Sequence, residues 1–194
     1  MKTLIFLSAA VLLASCGGNP KNKQDNDIIG VADTVQSADT TKTESAVYKI
    51  VVKTSSIPGD IDTLVTRNLS EPVKALTAFY AAMGGTMCDG ETCKLTTALG
   101  LGKQGSDRHK ELIKKYFPGD KVAETVVKQD CYLRPSGAST FSDFEYLTIT
   151  GHGDTLTVDY SLMYYNHGSS KSTTGPDTYL FKDNIFKKLE GMFA

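Results

Sequence analysis

The chain has 194 residues, enough for one globular domain with additional segments. Lys and Arg number 21 against 22 Asp and Glu, a net charge of −1, which argues against a nucleic-acid partner, since neutralising phosphates needs a basic excess. Hydrophobic residues make up 40% and can build one core, and with no Trp its aromatic packing rests on 9 Tyr and 8 Phe.

Lys2 is the sole charge in Met1–Cys16. The apolar runs Leu4-Ile5-Phe6-Leu7 and Ala9-Ala10-Val11-Leu12-Leu13 follow, then Ala14-Ser15-Cys16. A basic start, a short apolar stretch and small residues before a cut site describe a secretory signal over residues 1–15. The stretch is shorter than the roughly 20 residues of a membrane span. Leu13-Ala14-Ser15-Cys16 resembles the lipobox of bacterial lipoproteins. The resemblance implies that the Cys16 thiol receives a diacylglycerol, that cleavage precedes it, and that the new amino terminus is acylated. One acyl chain binds a bilayer marginally, whereas two or more anchor lastingly. The implied location is a bacterial envelope, and Gly17 after the lipidated position favours export to the outer membrane.

Residues 16–45 read as the lipidated Cys and a flexible linker. Gly, Asn, Lys, Gln, Asp, Ser and Thr dominate, and such a stretch buries too little apolar surface to offset its chain entropy. As a coil it would span about 30 Å. Asp25-Asn26-Asp27 lacks the glycine and distal Glu of a calcium loop. Residues 46–69 form a β-prone connecting segment. Val47, Tyr48, Ile50, Val51 and Val52 make a short run ended by Pro58-Gly59, read as an extra edge strand or a hairpin arm. Asp60–Asn68 is ambiguous.

The main body is expected over residues 70–194. Ser70 caps a helix with Glu71 and Pro72 in its first turn, and Val73, Leu76, Tyr80 and Met83 recur at helical spacing until Gly84-Gly85. A short helix is expected over Glu91–Leu99. Another follows Ser106 or Asp107, with Leu112, Ile113, Tyr116 and Phe117 as its apolar face, an exposed His109 in its first turn, and Glu111 paired with Lys115. Beyond Gly119 the period becomes two. Val122–Cys131, Phe141–Thr150 and Thr155–Asn166 read as strands, residues 166–174 as a loop, and Thr178–Lys182 and Ile185–Phe193 as a hairpin turning at Asp183-Asn184.

Helices followed by antiparallel strands predict an α+β fold, with N-terminal helices packed on a curved sheet. The opening helix Glu71–Met83, rich in Ala, Phe and Tyr, and the closing hairpin Tyr179–Leu189 resemble the nuclear transport factor two-like superfamily, shared with SnoaL-like proteins. Asn184 stands where that pattern usually has glycine, and no Trp follows the turn. The resemblance implies a cone-like domain with a pocket between the first helix and the concave sheet. It implies no single chemistry, since members include enzymes, binding modules and assembly domains. Lipocalin-like and cystatin-like folds are the alternatives.

Candidate chemistry is sparse. Cys88 and Cys93, close in sequence, suit a local disulfide in an oxidising compartment, with Cys131 left as a buried thiol or an alternative partner. No metal is assigned, because Cys131 with His109 matches no zinc spacing. His152 and His167 sit in turns and are expected in solvent. Asp143 and Glu145 share a strand face and can serve as bases if that face is enclosed, and as ordinary surface acids if it looks outward. Asp159 and Glu124 pose the same question. Ketosteroid isomerase, in the resembled superfamily, pairs an Asp base with a Tyr and a protonated Asp. None of those positions matches here residue by residue, so no catalytic residue is carried over. Tyr80, Phe144, Tyr160 and Tyr164 either line a pocket or fill the core. No glycine-rich phosphate loop, Gly-x-Ser-x-Gly elbow or HExxH occurs, and no cofactor is implied. The expected function is a lipid-anchored, non-catalytic binding module for a small apolar ligand or an envelope protein. A pocket enzyme using a buried carboxylate, or a structural lipoprotein, is the alternative.

Overall fold

The computed structural model describes residues 45–54, 59–84, 91–128 and 140–191, all within one unit, Thr41–Ala194. The expected signal peptide, Cys16 and the linker up to residue 44 lie outside the described residues, as do Cys88, Cys131 and the side chain of Cys93.

The architecture is α+β. Strands β1 (Ala46–Val52) and β2 (Asp60–Ile61) precede helices α1 (Thr63–Asn68), α2 (Glu71–Ala81, continued by a 3-10 turn Ala82–Gly84), α3 (Glu91–Ala98), α4 (Asp107–Tyr116) and α5 (Lys121–Val126). Then come β3 (Thr140–His152), β4 (Thr155–Asn166), β5 (Ser169–Thr174), β6 (Asp177–Lys182) and β7 (Ile185–Glu190). The seven described strands form one antiparallel open sheet, six of them in the order β2-β1-β3-β4-β6-β7 and β5 off this path beside β4. The free edge of β4 is divided: residues 155–158 pair with β6 and residues 161–166 with β5.

Four expectations are corrected. The helices are not N-terminal to the whole sheet, because β1 enters it first. Nor is β1 an edge or a lone arm: it lies between β2 and β3, and a register shift between Lys49 and Val51 buries Ile50 and Val51 together. Val122–Cys131 does not begin as a strand. Asp120 accepts from the Ala123 amide at 2.9 Å, capping a helix that overrides the β preference of Val122, Val126 and Val127. The Ser-rich stretch read as a loop is strand β5, whose backbone pairs with β4 although its side chains are mostly exposed. The last strand ends at Glu190. The ambiguous Asp60–Asn68 resolves into β2 and α1, with Asp62 accepting from the Leu64 and Val65 amides at 3.0 Å each.

Other expectations hold with local differences. Ser70 takes the cap position of α2 without a side-chain hydrogen bond. Lys115, expected to pair with Glu111, donates to Glu71 at 2.8 Å instead, so its ammonium ties α4 to the start of α2. The β6–β7 turn places Asp183 and Asn184 at φ 54° and 61°, two positive values in succession, as a tight hairpin turn requires.

Helix α2 is buried from Ala75 through Ala81, so it is not amphipathic in the surface sense. It packs against α3 and α4 and against the core face of the sheet. Ala75, Ala78 and Ala81 allow close approach, and Phe79 and Tyr80 reach the aromatic core. Phe79 stacks on Phe117 at 5.0 Å and Phe117 on Phe186 at 5.2 Å, a continuous stack from helix to sheet in a chain without Trp. Among the described residues no helix is long and apolar enough to cross a membrane.

Candidate functional site

Three of the four expected pocket residues come together, and they fill the core rather than line a space. Tyr80, Phe144 and Tyr160 are fully buried, with Tyr80 and Tyr160 rings 5.1 Å apart. Tyr164 is corrected: it lies on the far half of β4, paired with Lys171 of β5, and is 46% exposed because the helices do not cover it.

The core also holds a charge that residue type did not announce. Asp177, the first residue of β6, is fully buried. Tyr80 donates to its Oδ2 at 2.5 Å, and Lys188 of β7 approaches the same oxygen at 3.2 Å. The Tyr179 hydroxyl lies 3.0 Å from that of Tyr80. Burial pushes Tyr80, Tyr160 and Tyr179 well above the usual phenol range, and the nearby Asp177 charge adds to it. The phenols therefore remain hydrogen-bond donors. The cluster joins α2, β6 and β7, and with Lys188 only 13% exposed it acts as an internal clamp.

The two strand carboxylates, Asp143 and Glu145, are both half-buried. Phe144, a core residue, separates Asp143 from Glu145, and the register shift between Phe144 and Tyr146 makes Glu145 the bulged residue. Glu145 accepts from Ser161 at 2.7 Å and pairs with Lys53 at 3.4 Å. Those two contacts hold its carboxyl below the usual range, which makes it a weak base. Asp159 and Glu124 are exposed.

His152 and His167 are exposed, while His109 is corrected to fully buried. Its Nδ1 accepts from the Gly105 amide at 3.1 Å, so Nε2 carries the proton and donates to the Ala78 carbonyl at 3.1 Å. Burial lowers its pKa below the ordinary 6.5; Lys110 also lowers it, and the Ala78 bond opposes the shift. The unfolded chain therefore binds more protons in the window just below pH 6.5. The stability from neutral, buried His109 is complete above 6.5 and is lost as pH falls toward the depressed folded value. Urea titrations from pH 5 to 8 are expected to show this loss, and His109→Gln is expected to flatten it. An unchanged slope in the variant would assign the effect elsewhere.

An open cavity arises where α5 replaces the expected strand. Lys110, Ile113, Lys114 and Phe117 fall at i, i+3, i+4 and i+7, one stripe along α4 and its C-cap. Glu124, Val127 and Lys128 fall at i, i+3 and i+4 along α5 and its end. The turn at Gly119 folds the second stripe back toward the first, enclosing about 270 Å³. Ile113 and Phe117 (each 2% exposed) and Val127 (7%) make the floor, and the three lysines stand exposed around it. A second depression, between α2 and α4, carries both signs of charge, and Lys115 is there held by Glu71. Ile113 and Phe117 were legible as part of the apolar face of α4, but the flanking lysines were not singled out and the α5 wall was hidden by the strand reading. Among the described residues no group of three His, Cys, Asp or Glu could hold a metal ion. Comparison with protein-family models, with curated proteins and with solved structures gives no match.

Proposed function

We propose that the protein is a lipid-anchored component of a bacterial envelope, held at Cys16, whose α+β body is a non-catalytic binding module for a small apolar or amphipathic ligand. The observation that carries the binding reading is the α4–α5 cavity, an apolar floor with polar groups at its rim, the usual make-up of a small-molecule site. Two carboxylates are engaged in structural contacts: Glu145 with Ser161 and Lys53, Asp177 within the enclosed clamp. The anchor reading rests on Leu13-Ala14-Ser15-Cys16, with the outer membrane as its destination. A cone-like arrangement of the nuclear transport factor two type is part of the same proposal, supported by the burial of α2 on one face of the sheet beneath the long β3–β4 hairpin.

Bacteria fed an alkyne fatty acid are expected to label the wild-type chain and leave Cys16→Ala unlabelled and released from the membrane fraction. Equal membrane retention of an unlabelled wild-type chain would end the anchor reading. Native mass spectrometry of the wild-type chain is expected to show a retained non-covalent mass. Only the bare protein mass, after gentle release from membranes, would count against ligand binding.

A further inference from the structure

Resting on that binding reading, we propose that the α4–α5 groove takes a single acyl chain bearing an anionic headgroup, a carboxylate or a phosphate. Ile113, Phe117 and Val127 offer the chain a continuous apolar floor. Lys110 and Lys114 sit one turn apart on one wall, and Lys128 stands on the other. Lysine stems extend an apolar wall while their ammonium groups stay in water, so the rim binds a head where the floor binds a tail. Three lysines against Glu124 leave the rim positive, which disfavours cationic amphiphiles and gives neutral ones no partner. The cavity, about 270 Å³, lies just under the range of roughly 300–1,000 Å³ typical of small-molecule clefts, and suits one chain rather than two.

The test uses the full wild-type chain in nanodiscs of zwitterionic lipid, with three photoactivatable probes of one chain length: a fatty acid, a lysophospholipid bearing an anionic phosphate, and a neutral alcohol. Adducts are mapped by mass spectrometry. Labelling by either anionic probe is expected within Ile113–Phe117 or at Val127, with the alcohol about five-fold weaker. The variant Lys110→Gln/Lys114→Gln/Lys128→Gln, with its thermal unfolding checked against wild type, is expected to cut anionic labelling about five-fold. Labelling by the fatty acid alone identifies a carboxylate ligand, by the lysophospholipid alone a phosphate ligand, and either supports the proposal. Equal labelling by the alcohol, undiminished labelling of the folded variant, or adducts confined to another region would overturn it while leaving ligand binding intact. No specific adduct with any probe, together with no retained mass in the native spectrum, would overturn both.

Discussion

Asp177→Ala is expected to lower unfolding free energy by about 3–5 kcal/mol, read as a fall in Tm of roughly 10 °C. The Asp177 carboxylate is fully buried and accepts from Tyr80 while facing Lys188. Deleting it removes the carboxylate partner of an ammonium that is only 13% exposed and an acceptor of a buried phenol. Removing both charges is a different case. The double change Asp177→Leu/Lys188→Met is expected to recover most of the loss, because a desolvated pair contributes little net stability over apolar groups of similar size. Thermal and urea denaturation of the two variants separate the cases. A midpoint within about 1 °C of wild type for Asp177→Ala would dismiss the clamp.

Gly175→Ala is expected to cost about 2–3 kcal/mol, although it adds a single methyl group. A Cβ at Gly175 would stand 2.8 Å from the Val158 carbonyl oxygen and 2.8 Å from the Tyr160 ring. Both neighbours are fixed. The Val158 carbonyl belongs to β4, and Tyr160 is fully buried against Tyr80. Gly175 also donates its amide to the Tyr160 carbonyl at 3.0 Å, so the segment cannot retreat without losing that bond. Gly168→Ala makes the comparison, since a Cβ there meets nothing within 4 Å and only its φ of +84° is unfavourable. Urea midpoints are expected to place Gly175→Ala well below Gly168→Ala. The reverse order would show that β4 and Tyr160 give way.

Elements with one strong period were legible. Leu156, Val158, Tyr160 and Leu162 alternate along β4, and the structure buries all four. Helix α4 was equally clear, because its apolar face and the Ser106 cap agree. Short elements without a period were not. Helix α5 has six residues and a valine-rich sequence, and its identity depends on a cap and on packing against α4. Strand β5, Ser-Ser-Lys-Ser-Thr-Thr, has no apolar alternation and exists because β4 offers it an edge. Burial of polar groups was the least accessible property. Residue type gives no notice that His109 will find Ala78, or that Asp177 will find Tyr80, since those partners are distant in the chain and belong to other elements. The groove shares this limit: Ile113 and Phe117 were visible as an apolar face, and the opposite wall was not.

The borders of the sheet bear on behaviour at high local concentration. Strand β2 is two residues long, β5 presents Ser, Lys and Thr, and β7 carries the exposed Lys187 and Glu190. Unpaired backbone along a sheet margin invites zipping between neighbouring molecules, and brevity or charge there discourages it. Copies crowded side by side on a surface would thus have few places to fuse into a shared ladder, a form of colloidal protection written into the outermost strands.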